Sequence, residues 1–415
     1  MTQTTGRPDL TPQRLLDPAV IADPYPFYRD LREHAPVWNV PGTEVFTVAT
    51  FEALAEAVSR TDVLSSNIEA VLYRGDDGAP ARIAFGGVEG ITTLATADPP
   101  VHAVHRAAVF PELVAKRMLL LEPEIDGLAR GLLRDALAGS SASSPTFDFM
   151  TAVGSLVPIN VVSWLVGFTD ADAQMLLQAA LDSTEMLAAT MSLAELEAMF
   201  LRTDQIGRWL AEQMQAAMAD PRADLLGAVA RGIESGAFTF DSAVVVLHTL
   251  LSAGGESTSS LLGNAVRILA DDPDLQQRLR ADRTLIPAFV EEALRLESPF
   301  RFHMRAAHAD LELAGTEIPK GSTVLMLWGA ANRDPDEHER PDEVVLDRPT
   351  PRHHVAFGRG IHHCVGAPLA RIEARVVLET LFDETEHFEL GGEPRWANSL
   401  MVRRHEALPL RYTPR

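Results

Sequence analysis

Sulfur is nearly absent from this chain: among 415 residues there is one cysteine, Cys364. A single thiol excludes an internal disulfide framework and agrees with a reducing compartment. Long apolar runs are missing too, with no uncharged stretch of roughly eighteen residues that would favour a membrane span. The opening residues, Met1 to Leu10, are polar and hold no apolar core of the kind a leader carries. We therefore expect no membrane anchor and a cytoplasmic setting. Positive charge is scarce: 36 Lys and Arg stand against 58 Asp and Glu, for a formal net charge of -22 at pH 7. That balance argues against nucleic acid and against anionic lipid surfaces, since both require a cationic face. Linkers and internal repeats are lacking as well, because the Ser-rich stretch from Ala138 to Pro145 is short enough for a surface loop.

With 46% hydrophobic residues the chain has material for one large core. We expect a single domain over residues 1–415, mainly α with minor β, with residues 1–20 a flexible N-terminal segment. Asp23-Pro24 opens a first amphipathic helix, and Asp98-Pro99-Pro100 opens another that runs through His102 and Arg106 towards Arg117. The apolar runs Leu156–Phe168, Ala243–Ala270 and Leu285–Leu296 read as buried helices by their length. Leu311–Met326 shows strand-type alternation around an Ile318-Pro319-Lys320-Gly321 turn, and Ser399–Tyr412 reads as a hairpin.

Cys364 sits in Phe357-Gly358-Arg359-Gly360-Ile361-His362-His363-Cys364-Val365-Gly366, followed by a helix-forming run from Ala367. Three glycines let backbone pass close to something flat and bulky, and a thiolate can bind a metal. A lone cysteine is by default a small core hydrophobe. Zinc is a second alternative, because His353, His354, His362 and His363 lie nearby, but paired His spacings or further cysteines are missing. A helix N-terminus offers a thiolate only about 0.3–1 kcal/mol, far below the cost of burying an anion, so a metal must hold it. The glycines in register favour a haem-iron ligand loop over both alternatives.

The pattern Phe-Gly-x-Gly-x-His-x-Cys-x-Gly resembles that of the cytochrome P-450 superfamily, met at Phe357, Gly358, Gly360, His362, Cys364 and Gly366. The resemblance implies haem b (iron protoporphyrin IX) with Cys364 as axial thiolate and metal ligand, held between a long central helix and the Cys loop. It implies cofactor contacts at His102, Arg106, Arg305, Phe357, His362, Cys364 and Gly366, the two histidines and two arginines serving the propionates. In the central helix, Ala253-Gly254-Gly255-Glu256-Ser257-Thr258 matches the family's oxygen-activating run, with serine where threonine is usual. Glu256, Ser257 and Thr258 are thus the implied catalytic residues. Glycines, however, also serve close helix crossings, and Glu256 could equally be a buried salt-bridge partner. Glu292 and Arg295, ahead of Pro299, match a scaffold signature that Arg348 would complete.

Finer matches at Leu94-Ala95-Thr96-Ala97, His102 to Arg106 and Ala253 to Thr258 are similar to a mycobacterial-type orphan family, number one-four-four. The implied activity is a soluble, bacterial class I monooxygenase that uses O2 and electrons from ferredoxin and an NAD(P)H-dependent ferredoxin reductase. A non-catalytic haem sensor or ligand-binding protein is the rival, and a zinc protein the distant third. Arg352, Arg359, Arg371 and Arg375 form a local basic face for an acidic carrier. By analogy the pocket draws on Glu69–Leu94, Gly167–Phe200, Leu247–Ala253, Phe300–Met304 and Ser399–Met401. The recurring Met175, Met186, Met191, Met199, Met304 and Met401 suit a hydrophobic small-molecule substrate.

Overall fold

The computed structural model describes residues 9–84, 94–140, 145–220 and 222–415. Helix makes up 54% of it, with small sheets at one side, so the architecture is mainly α with minor β. Its axis is one helix, Phe240–Asp271, of 32 residues. A capping box starts it: Thr239 Oγ1 accepts from the Ser242 N–H while Ser242 Oγ accepts from the Thr239 N–H. Leu247, Leu251, Leu261, Leu262 and Val266 along this helix are buried in the main core.

The helix Leu156–Val166 crosses this axis closely. A Cβ on Gly254 would stand 2.8 Å from Val162 Cγ2, and one on Gly255 would stand 2.9 Å from Ile159 Cδ1. Close crossing is therefore what the two glycines serve, and it offsets their cost of roughly 2 kcal/mol against alanines. On the other side, Ala367–Glu384 continues from the Cys loop and packs against the axis and against Ile286–Leu296.

A five-stranded sheet runs in the order Val37–Asn39, Val45–Val48, Thr323–Met326, His303–Ala307, Leu64–Ser65. Only the pair Val45–Val48 with Thr323–Met326 is parallel. Ala314 and Gly315, both at positive φ, turn Leu311–Leu313 onto Thr316–Ile318 before the chain enters this sheet.

Three expectations are corrected. Residues 98–117 do not form one helix: Val101–Val109 gives way to a 3-10 turn, Phe110–Glu112, and a new short helix, Ala115–Met118. Pro111 is the cause, since it donates no N–H to the preceding turn. Ser399–Tyr412 is not a hairpin: His405–Ala407 pairs with Arg395–Trp396, whereas Pro409–Pro414 lies between Thr385–Leu390 and Thr146–Asp148. Nor is the described part of residues 1–20 loose, for Pro12–Leu16 is a 3-10 helix whose Leu15 and Leu16 are buried in the second core cluster. Residues 1–8 lie outside the described residues, as do 85–93 of the expected pocket loop and 141–144 of the Ser-rich stretch. Among the described residues no helix is long and apolar enough to cross a membrane.

Candidate active site

Cys364 hangs on a loop built by its glycines. Gly358 and Gly360 have φ of 68° and 74°, a region that favours glycine. They turn the chain so that the Cys364 N–H donates to the Phe357 carbonyl at 2.9 Å. Burial pushes the thiol pKa up, opposed by the backbone N–H groups of Gly366 and Ala367 and by the charges of Arg371 and Arg106. Those amides point at sulfur and would stabilise a thiolate once a metal displaces the proton. Arg371 lies over the Phe357 ring, 4.6 Å from its centroid. The loop's own carbonyls, at Ile361 and His363, accept from Arg106 at 3.1 and 3.4 Å.

Two adjacent acids on Ile286–Leu296 tie down the segments that flank this loop. Glu292 takes Arg295 in a two-point pair at 2.8 and 2.9 Å and accepts from Arg348 Nε at 2.8 Å. Arg348 thus joins the pair, as the downstream arginine that the resemblance implied, although the segment to His354 is one residue off the common spacing. Glu291 binds His354 at 2.9 Å and Arg371 at 2.7 and 3.0 Å. Asn332 links the layers: its carbonyl accepts from Arg295, and its Oδ1 accepts from the Val355 N–H at 2.7 Å.

Beside the thiol loop, a different chemistry gathers. His102 and His362 meet with ring centroids 4.4 Å apart, and Nε2 of each is buried without a hydrogen-bond partner among the described residues. Burial, then His102 and Arg305, push His362 down to about 4, and burial brings Arg305 down to about 10. Among the described residues the Arg305 side chain donates to the neighbouring Met304 carbonyl alone, at 2.8 Å. Asp98, whose charge acts on Arg305 and His362, already accepts from Ser65 Oγ and the Ser66 N–H. Three distant segments therefore bring together Arg305 and two buried imidazole nitrogens that lack partners among the described residues, which is the environment two buried carboxylates would complete. Together with the glycine-built thiol loop, these residues fit haem.

On the central helix, Ala253 is exposed and Ser257, one turn on, is half-buried, so the two mark one open stripe. Ser257 Oγ donates back to the Ala253 carbonyl at 2.5 Å. Thr258 is buried, turned from that stripe. Glu256 is 2% exposed; its Oε1 accepts from Arg404 Nε at 2.8 Å and its Oε2 from the Thr184 hydroxyl. Burial, opposed by Arg404, raises its pKa to about 7. A polar cavity of about 250 Å³ reaches Glu256 past Glu185, Arg404 and Glu406.

Other expectations change. Arg371 is tied to Glu291, and Arg375 to Glu122 at 2.8 Å and Glu379 at 2.9 Å; Arg352 also meets Glu291, at 3.4 Å, but its side chain is 76% exposed, so it and the exposed Arg359 remain as the open part of the basic face. The histidines near Cys364 form no zinc set: His353 pairs with Glu337 and His354 with Glu291. Among the described residues no cluster of three or more His, Cys, Asp or Glu could hold a metal ion. Met199 accepts from Arg202 and is buried, and Met175 packs on the main core, so both act as filling. Sequence reasoning missed Glu291, Asn332, Thr184 and Arg404. Only Glu291 left a local signal, a second acid inside a buried helical run.

Comparison with known proteins agrees with this geometry. The sequence profile of the family Cytochrome P450 matches residues 85–397. The chain is 39% identical to Cytochrome P450 144 of Mycobacterium tuberculosis over 94% of its length and 89% of the relative's. It is 31% identical to the Cytochrome P450 monooxygenase PikC of Streptomyces venezuelae, covering 99% and 96%. Among solved structures, CYP108D1 from Novosphingobium aromaticivorans superposes with a TM-score of 0.84 at 27% identity, over 99% of each chain. The chain belongs to the cytochrome P450 family, monooxygenases that bind haem b through a cysteine thiolate.

Proposed function

We propose that this protein is a ferredoxin-dependent cytoplasmic monooxygenase, folded as one domain, that hydroxylates or epoxidises an apolar small molecule. Haem on Cys364 supplies dioxygen activation, using two electrons per turnover. The observation that carries the reading is the stripe of Ala253 and Ser257, backed by a buried acid with a polar route to water. Ser257 holds a water or hydroxyl proton on the open side. Glu256, with its pKa near neutrality, takes protons from the cavity at Glu185 and Glu406 and returns them towards Ser257. Thr258 faces the core and serves packing. His102, Arg106, Arg305 and His362 hold the propionates, while Phe357 and Gly366 shape the sulfur's surroundings.

Electrons enter on the Cys side. A groove of about 530 Å³, lined by Ala103, Arg106, Ala107, Phe110, Gly360 and Ile361, lies between Val101–Val109 and the ligand loop. Exposed Phe110 and Ile361 give it an apolar centre, with Arg106 within it and Arg359 adjoining. An acidic ferredoxin matches that rim in charge.

One reconstituted assay tests the reading, after a screen for substrate-induced spin shifts. Cys364→Ser abolishes the thiolate-type spectrum of the reduced, carbon monoxide-bound protein. Ser257→Ala keeps haem and substrate binding but sends more reducing equivalents to hydrogen peroxide, and Ser257→Thr sends fewer, since the added methyl restricts the hydroxyl. Arg352→Glu with Arg359→Glu slows reduction by ferredoxin and flattens its salt dependence. A wild-type spectrum in the serine variant overturns the axial ligand. Loss of coupling at Thr258→Ala instead of Ser257→Ala moves the relay by one residue. Unaltered reduction kinetics remove the docking face, and a holoprotein that turns over nothing favours a haem sensor.

A further inference from the structure

We propose that His303 is an additional haem contact, its Nε2–H donating to a haem carboxylate while Trp328 locks the ring in the tautomer able to do so. The proposal rests on the haem reading above. In the strand His303–Ala307, residues 303 and 305 share a face, so His303 stands beside Arg305, which has no carboxylate partner among the described residues. Met304 points to the opposite side and is buried in a core cluster with Phe302. The Trp328 indole N–H donates to His303 Nδ1 at 2.7 Å. An indole nitrogen can only donate, so Nδ1 must carry the lone pair and the ring proton sits on Nε2.

The ring is also held in place. Phe300 meets it edge-on with centroids 5.1 Å apart, and Trp328, itself buried, closes the other side. No described residue accepts from Nε2, although Arg305 and His362 lie close enough to act on the ring electrostatically. Burial, with those two neighbours, pushes His303 down to about 3, so it is a neutral donor at any pH where the protein works. A neutral N–H on the same strand face as Arg305 adds one more hydrogen bond to the same acceptor. Against Arg305 alone, the buried carboxylate gains orientation, because a ring fixed on two sides loses little entropy on binding.

The test uses the holoprotein and three variants. Rate of haem transfer to excess apomyoglobin, the haem midpoint potential and thermal melting of each apoprotein are measured. His303→Phe keeps the ring but not the donor; it loses haem roughly tenfold faster, as expected for one hydrogen bond to a charged group. Its midpoint potential falls, because a less compensated carboxylate favours ferric iron. His303→Gln restores the donor and recovers most of both effects. Trp328→Phe leaves the imidazole but frees its tautomer, and falls between the two. Haem loss and potential unchanged in His303→Phe overturn the proposal, as does a glutamine variant no better than phenylalanine. Should His303→Phe not fold, Trp328→Phe decides: haem loss at the wild-type rate overturns the tautomer lock and with it the proposal. A wild-type protein that binds no haem instead sinks the haem reading itself.

Discussion

Two buried polar clusters lie beside the Cys364 loop, and they differ in one respect. Around Glu292, the buried guanidinium is fully used: the five N–H groups of Arg295 go to both Glu292 oxygens and to the carbonyls of Asn332, Pro341 and Glu343. Around His102, the Nε2 atoms of His102 and His362 are buried and have no partner among the described residues. A satisfied cluster is complete once the chain has folded, whereas an unsatisfied one costs free energy that folding alone does not return. The first is scaffold. The second is stabilised only when a ligand arrives with acceptors, which separates the part of the site the polypeptide makes from the part haem makes.

The largest effect should come from breaking the satisfied cluster. Glu292→Ala strands Arg295, which is 1% exposed, as an uncompensated buried charge, and should cost about 3–5 kcal/mol. Denaturant unfolding of the apoprotein reads it directly. A loss below about 1 kcal/mol would mean the cluster does not hold the fold and the comparison fails at its first term.

What the sequence could reveal follows the same division. The central helix was legible because its apolar run is long and its cap is local, and the loop because glycine spacing around one cysteine is a short-range pattern. Arg348 was reachable through its signature. The terminal strands were not, since Pro409–Pro414 is defined by partners at Thr146–Asp148 and Thr385–Leu390, far along the chain. The basic face was overcounted because Glu291 and Glu122, which neutralise Arg371 and Arg375, sit on other elements. Gly254 and Gly255 had two readings, and only Val162 and Ile159 across the crossing decide for packing. Glu256 gave no sign of Arg404, 148 residues away.

Glu256 sits between the two extremes, being partnered yet shifted, and its titration sharpens the comparison. Burial raises its pKa from 4.5 to about 7, so the folded chain holds this proton more tightly than the unfolded chain. The stabilisation is present in full below about pH 4.5 and is lost as pH rises through about 7, for a total of about 3 kcal/mol. Glu256→Gln does not titrate. The stability of wild type minus that of the glutamine variant should therefore fall across this window in apoprotein unfolding at several pH values. A flat difference would place Glu256 among the satisfied groups, ionised throughout and held by Arg404.

The smallest expected change in stability has the most diagnostic sign. His102→Leu removes a buried Nε2 that finds no partner among the described residues and puts an apolar side chain of similar size in its place. Apoprotein stability should rise by about 1 kcal/mol, because replacing an unsatisfied polar group by an apolar one removes its desolvation cost. In the holoprotein the same change deletes a propionate donor, so haem should leave faster than from wild type. Opposite signs in the two states are what an idle donor awaiting a ligand requires. If the apoprotein is destabilised as well, His102 already makes a contact that matters without haem, such as its ring packing on His362, and this cluster belongs with the scaffold after all.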